Sequence, residues 1–195
     1  GLQILEESLG PYHHWTLDAT MLLAELFWEL QDEQHAYGLS REVLTRAEKA
    51  CGADCPVVAH WKSTVAARLL ANAAPQEECK VCMESLELIR RKLGPYHPKT
   101  LECAGSSAWV LSASGNTEQA DKLLDEALTT LQARAQPSSP WIFWLKGVQR
   151  KIDAGRLSPQ DLERQAAEAQ VVQECAAYIQ QFWGESDWRV RMLRP

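Results

Sequence analysis

Six cysteines raise the first chemical question. Cys79 and Cys82 form a Cys-x-x-Cys pair, and Cys51 and Cys55 stand four residues apart. Two thiol pairs are a set that a structural zinc site could use. His13, His14 and His97 offer a metal or a general base at neutral pH, and His60 stands apart from them. The acidic pairs Glu6-Glu7 and Glu77-Glu78 complete the titratable groups of interest. No phosphate-binding loop, Gly-x-Ser-x-Gly or His-Glu-x-x-His occurs. No catalytic constellation emerges, so the expectation is a chain without catalysis, cofactor or metal.

Whether those groups can meet depends on the elements that carry them, and these repeat. Leu9-Gly10-Pro11-Tyr12-His13-His14-Trp15-Thr16-Leu17 recurs as Leu93-Gly94-Pro95-Tyr96-His97-Pro98-Lys99-Thr100-Leu101, 84 residues on. Halfway between them, Gly52 falls in register, and Pro56, Pro98 and Pro140 are spaced by 42. Ala24, Ala66 and Ala108 share one register position, and Leu44, Leu86 and Leu128 another. A fixed period of this length marks a stack of supersecondary units.

Each unit reads as two helices, A and B. Helix A spans about 16–30, 57–72, 99–114 and 141–154 in successive units. Helix B spans about 34–50, 76–93 and 117–134, and a longer one runs from Ser158-Pro159 to about Trp183. Glycine closes the helices and proline opens the next ones. Gly115 and Gly155 read as helix stops, and Thr117 as an N-cap. Residues 1–155 are thus expected to hold the repeats: a partial helix at 1–10, units at about 11–51, 52–93 and 94–135, and the start of a fourth at 136–183. Residues 156–195 form a long capping helix and tail, since a terminal repeat must cover the open end of the core. The residues Leu2, Leu5, Leu9 and Gly10 match Leu86, Ile89, Leu93 and Gly94, so the chain is expected to begin inside a helix of a longer protein. Core-like Leu2, Leu5 and Leu9 would then be exposed and could pair two copies as a homodimer.

Composition agrees with an all-α fold. The chain has 25 Ala and 25 Leu against 10 Val and 5 Ile, which favours helix over sheet. The net charge is −6 with no basic stripe, which argues against nucleic acid. No apolar run is long enough to span a membrane, and no basic leader is visible, so an intracellular, cytoplasmic or nuclear site is expected.

Leu93-Gly94-Pro95-x-His97-Pro98 with Ala108, Leu111, Gly115, Ala120, Leu124, Ala127 and Leu128 resembles the tetratricopeptide repeat superfamily, in its 42-residue kinesin-light-chain-like form. The resemblance implies an all-α, right-handed solenoid of about four helix pairs. It also implies a non-catalytic interaction scaffold whose A helices line a concave groove. By register that groove holds Asp18, Met21, Glu25 and Trp28 in the first unit. It holds His60, Ser63, Ala67 and Leu70 in the second, then Glu102, Gly105, Trp109 and Ser112. Trp144 and Lys151 follow in the fourth. The basic carboxylate clamp of chaperone-binding members is not matched, and neither are the paired asparagines of kinesin light chains. The expected ligand is a peptide or partner helix with apolar anchors and Lys or Arg, and the expected anchoring sites are Trp28 and Trp109. The same tryptophans would also serve inter-repeat packing.

A second resemblance rests on Ala36-Tyr37-Gly38, Cys55-Pro56-Val57-Val58 and Leu93-Gly94. It is to the C-terminal helical domain of SET-and-MYND lysine methyltransferases, and implies an accessory domain gating lysine-rich substrates. A sensor array of an NTPase-type receptor is a third context for such repeats. The register also bears on the chemistry above. Cys51 aligns with Leu9 and Leu93, and Cys82 with Leu124, which makes both core thiols rather than zinc ligands. Cys103 and Cys175 read as small core residues. The loop histidines read as caps.

Overall fold

The computed structural model describes residues 1–69, 75–134, 139–156 and 162–184, together with Arg189 and Leu193. Among these the structure contains nine α-helices and no strand. They are α1 (Leu2–Leu9), α2 (His14–Glu29), α3 (Glu33–Cys51), α4 (Pro56–Leu69), α5 (Pro75–Leu93), α6 (Pro98–Ala113), α7 (Thr117–Gln132), α8 (Pro140–Arg156) and α9 (Leu162–Trp183).

The helix ends follow from local chemistry. Gly10, Gly52 and Gly94 end α1, α3 and α5 at φ of 86°, 84° and 86°, a region in which a side chain is strained. His13 and His97 are N-caps: the Nδ1 of His13 accepts from the Trp15 amide at 3.3 Å, and that of His97 from the Lys99 amide at 3.2 Å. These bonds satisfy amides that a helix start otherwise leaves unpaired. Asp32 caps α3 by accepting from the His35 amide.

Two boundary expectations and one burial expectation change. Asn116, not Thr117, is the N-cap of α7, and no side chain caps that end. Gly155 lies inside α8, which continues to Arg156, because Arg156 reaches across to Asp121 at 2.9 Å and holds the last turn. Cys51 is exposed at the end of α3, not in the core. The expected start at Ser158-Pro159 lies outside the described residues.

Consecutive helices pack as antiparallel pairs, α2 with α3, α4 with α5, α6 with α7 and α8 with α9. Each pair then meets the next through its second helix, and α4–α6 and α6–α8 lie side by side. Ala24, Ala66 and Ala108 are at most 5% exposed, where a small side chain permits close approach. The buried residues fall into two clusters. One gathers Leu17, Met21, Ala24, Val43, Ala47, Val58, Trp61 and Val65 around α2–α4. The other runs from Ala59 through α9 to Leu193.

Candidate partner-binding site

The A helices α4, α6 and α8 form one continuous wall, and its spacing is set by a single register position. That position holds Met21, Ser63, Gly105 and Gly147, each 42 residues from the last. The Ser63 hydroxyl on α4 accepts from the Cys103 thiol of α6 at 3.2 Å. Gly105 on α6 lies under the indole of Trp144 from α8, and a Cβ at Gly105 would overlap that ring. Gly147 on α8 lies under Leu193, and a Cβ there would likewise overlap its side chain. Leu193 is fully buried, so a residue of the tail takes the place that an A helix takes in the preceding units.

The residues expected to line a groove therefore divide. Asp18 is exposed, and Glu25 and Trp28 are partly exposed on α2. Trp109 and Lys151 are partly exposed, with the Lys151 ammonium 5.8 Å from the Trp109 ring centroid. Burial lowers the Lys151 pKa from its ordinary value. Ala67 and Ser112 are half-buried. Met21, Ser63 and Trp144 are 4%, 1% and 0% exposed, so they belong to the packing and a partner on the surface cannot reach them. Ser63 is met by Cys103 of the next unit, the Trp144 ring lies on Gly105 of the previous one, and Met21 is packed in the cluster around α2–α4. Leu70 lies outside the described residues.

His60 and Glu102 remain on the wall, and they are brought together. His60 Nε2 stands 3.7 Å from Glu102 Oε1, with only 10% and 11% of the two side chains exposed. Arg189 from the tail approaches the other Glu102 oxygen at 4.0 Å. Its guanidinium carbon lies 4.0 Å from the Trp183 ring centroid and 5.1 Å from that of Trp141. Burial holds the His60 pKa down to about 3, helped by the Lys99 and Arg189 charges. The imidazole is thus neutral, its Nε2 faces the carboxylate, and its buried Nδ1 has no hydrogen-bond partner.

Trp141, Trp183, Lys99 and Arg189 were not expected at this site. Trp141 lies one turn before Trp144, so a helical face displaced by that turn would have found it. The Gly105–Gly147 pair at the repeat spacing was a legible sign of close approach. Nothing in the sequence pattern marks Arg189.

The thiols do not form one four-cysteine cluster, although Cys51 and Cys55 contact each other. Cys79 donates to Ser114 Oγ at 3.1 Å, while Cys82 and Cys103 meet around Ser63. Burial pushes Cys82 up to about 12 and Cys103 to about 11, which disfavours the thiolate a metal would need. Among the described residues no three His, Cys, Asp or Glu side chains cluster as metal ligands. Two surface grooves, of about 710 and 770 Å³, lie away from the His60–Glu102 cluster. One is bounded by Tyr37, Leu44 and Glu84, the other by Arg90, Lys122 and Asp125.

With this geometry in view, comparison with solved structures is decisive for the fold. A singly substituted form of a putative kinesin light chain with nearly identical TPR-like repeats, from Podosopora anserina, superposes with a TM-score of 0.64. It is 18% identical, over 93% of this chain and 82% of that one. The fold is a tetratricopeptide-type solenoid. A second structure of that putative kinesin light chain gives a TM-score of 0.62 at 18% identity, over 94% of this chain and 84% of the other. Residues 79–133, from α5 into the end of α7, match the family model described as tetratricopeptide repeat. No curated protein sequence matches the chain. Among the described residues of this solenoid, no helix is long and apolar enough to cross a membrane.

Proposed function

We propose that the solenoid is a non-catalytic protein-interaction scaffold that binds a peptide or partner helix along its A-helix wall. Tetratricopeptide repeats generally mediate protein–protein contacts, and residues 79–133 carry that match. The observation that carries the reading is the composition of the wall. It combines partly exposed indoles at Trp109 and Trp141 with the carboxylate of Glu102, and α2, which shares an apolar cluster with α4, adds Trp28, Asp18 and Glu25. Amphipathic aromatics beside acidic groups suit a ligand with apolar anchors and Lys or Arg. The formal charge of −6 would favour encounter with such a basic segment.

The test is a display library of random dodecapeptides panned on the immobilised full chain. Enrichment of basic sequences with aromatic or aliphatic anchors supports the reading. That enrichment should disappear for a Trp28→Ala/Trp109→Ala chain whose helical circular dichroism is retained. Equal enrichment on the double variant would show that the wall is not the binding surface.

A further inference from the structure

The contacts of Arg189 describe a binding site whose present occupant is part of the chain itself. Three helices supply its parts: Glu102 from α6, Trp141 from α8 and Trp183 from α9. The two indoles lie 4.7 Å apart at 57°, which makes a V-shaped aromatic cradle. The guanidinium rests on both ring faces and points one nitrogen at the carboxylate, and only 16% of the Arg189 side chain is exposed. A planar, weakly hydrated cation suits this environment better than a compact ammonium does.

A second observation points to a ligand rather than to packing alone. His60 is buried beside the same carboxylate, and its Nδ1 makes no hydrogen bond. A neutral imidazole whose Nε2–H faces Glu102 presents Nδ1 as an acceptor. A buried acceptor without a partner costs free energy until a donor reaches it. Arg189 engages Glu102 and the indoles, and no hydrogen bond reaches Nδ1.

Two described residues bracket Arg189 in the chain. Gly184 ends α9 at φ 83°, and the Leu193 side chain packs over Gly147 of α8. Arg189 lies between these two fixed points. A tethered group of this kind acts at an effective concentration of roughly millimolar, so it competes strongly with any ligand in solution.

We propose that Glu102, Trp141 and Trp183 form a guanidinium-recognition site which Arg189 occupies in cis, and that an arginine-bearing peptide of a partner binds the wall by displacing it. The proposal rests on the reading of the wall as a peptide-binding surface and names the side chain recognised there. The tail is then a built-in competitor, and partner affinity is set by the difference between two guanidinium contacts.

The test uses the full chain and a fluorescent peptide of its own residues 185–195, followed by anisotropy. A second peptide carries Ala in place of Arg189. The Arg189→Ala chain should bind the Arg peptide at least ~10-fold more tightly than the wild-type chain does. It should show no such gain for the Ala peptide, and adding Glu102→Gln to that chain should erase the gain. Equal binding of both peptides, or no gain over wild type, overturns the proposal. Should Arg189→Ala lose its helical signal, the wild-type chain decides the matter by NMR of its arginine Nε–H groups. Excess Arg peptide must then shift the Arg189 resonance to that of an exposed arginine, and an unmoved resonance overturns the proposal. Library peptides that still depend on Trp28 and Trp109 would show that the wall binds without an arginine site. Absence of both results would sink both readings.

Discussion

The two ends of the solenoid are built on the same register but are packed differently. In the second half the A helices approach closely. Ser63 meets Cys103, Gly105 lies under Trp144, and Gly147 lies under Leu193. In the first half the same position is Met21, and Trp61 stands where α6 has Cys103. Both are buried in one cluster with Leu17 and Ala24. Two large side chains hold the backbones apart: among the described residues no Cα of α2 comes within 8 Å of α4. Exposed apolar residues concentrate at the same end. Leu22, Leu26 and Leu30 are 60%, 58% and 74% exposed, whereas their register equivalents on α6 include Ser106 at 5% and Val110 at 0%. On α6 that face is covered by α5, where Cys79 contacts Val110 and Ser114. The period sets which face of a helix is apolar, while the neighbouring side chains set how close and how dry that face becomes.

The largest test of this contrast is Trp144→Ala. It should cost about 3–5 kcal/mol, because a fully buried indole is removed and Gly105 loses its cover. Urea unfolding followed by circular dichroism would read the loss, and a cost below about 1 kcal/mol would mean that the close-packed half is not the stable half. Gly105→Ala should cost about 1–3 kcal/mol by overpacking, since Trp144 has no free space to retreat into.

Acidification should act through His60. Its folded pKa, about 3, lies below the ordinary histidine value, so the unfolded chain binds the extra proton first. The contribution is present above about pH 6.5 and is lost as pH falls towards the folded value, at up to about 1.4 kcal/mol per pH unit. Between pH 6.5 and 5 this amounts to roughly 2 kcal/mol, and His60→Gln should flatten that part of a pH–melting series. An unchanged slope would mean that His60 is solvated. In the looser half, Gly38 sits mid-helix on α3 with open space around its Cα, so Gly38→Ala should stabilise by about 1 kcal/mol. Smallest of all, Leu22→Ser should change stability by less than about 0.5 kcal/mol, because that side chain is already exposed. A large loss there would reveal that α2 is covered in solution.

Much of the fold was legible because its signals are local. The glycines at 10, 52 and 94, the prolines at 56, 98 and 140 and the capping histidines act within a few residues of themselves. The alanines at 24, 66 and 108 repeat because every helix pair faces the same close approach. The candidate site was legible only in part. Register placed Trp144 on the wall, yet its ring turns onto Gly105 and is buried, while Trp141 one turn earlier faces Arg189. Periodicity cannot distinguish these two, since both lie near the apolar face and only the partner's size selects between them. Cys51 shows the same limit: its register equivalents Leu9 and Leu93 are exposed and partly buried, and Cys51 itself is exposed at the end of α3.

By itself, then, the sequence determined the helical class, the 42-residue period and most of the helix ends, because hydrogen bonds within a turn and the conformational preferences of Gly and Pro settle them. Only the tertiary structure decided which wall residues are accessible and what meets Glu102. Those depend on contacts as distant as Glu102 with Arg189 and Gly147 with Leu193, and no local pattern encodes a contact between residues that become neighbours only on folding.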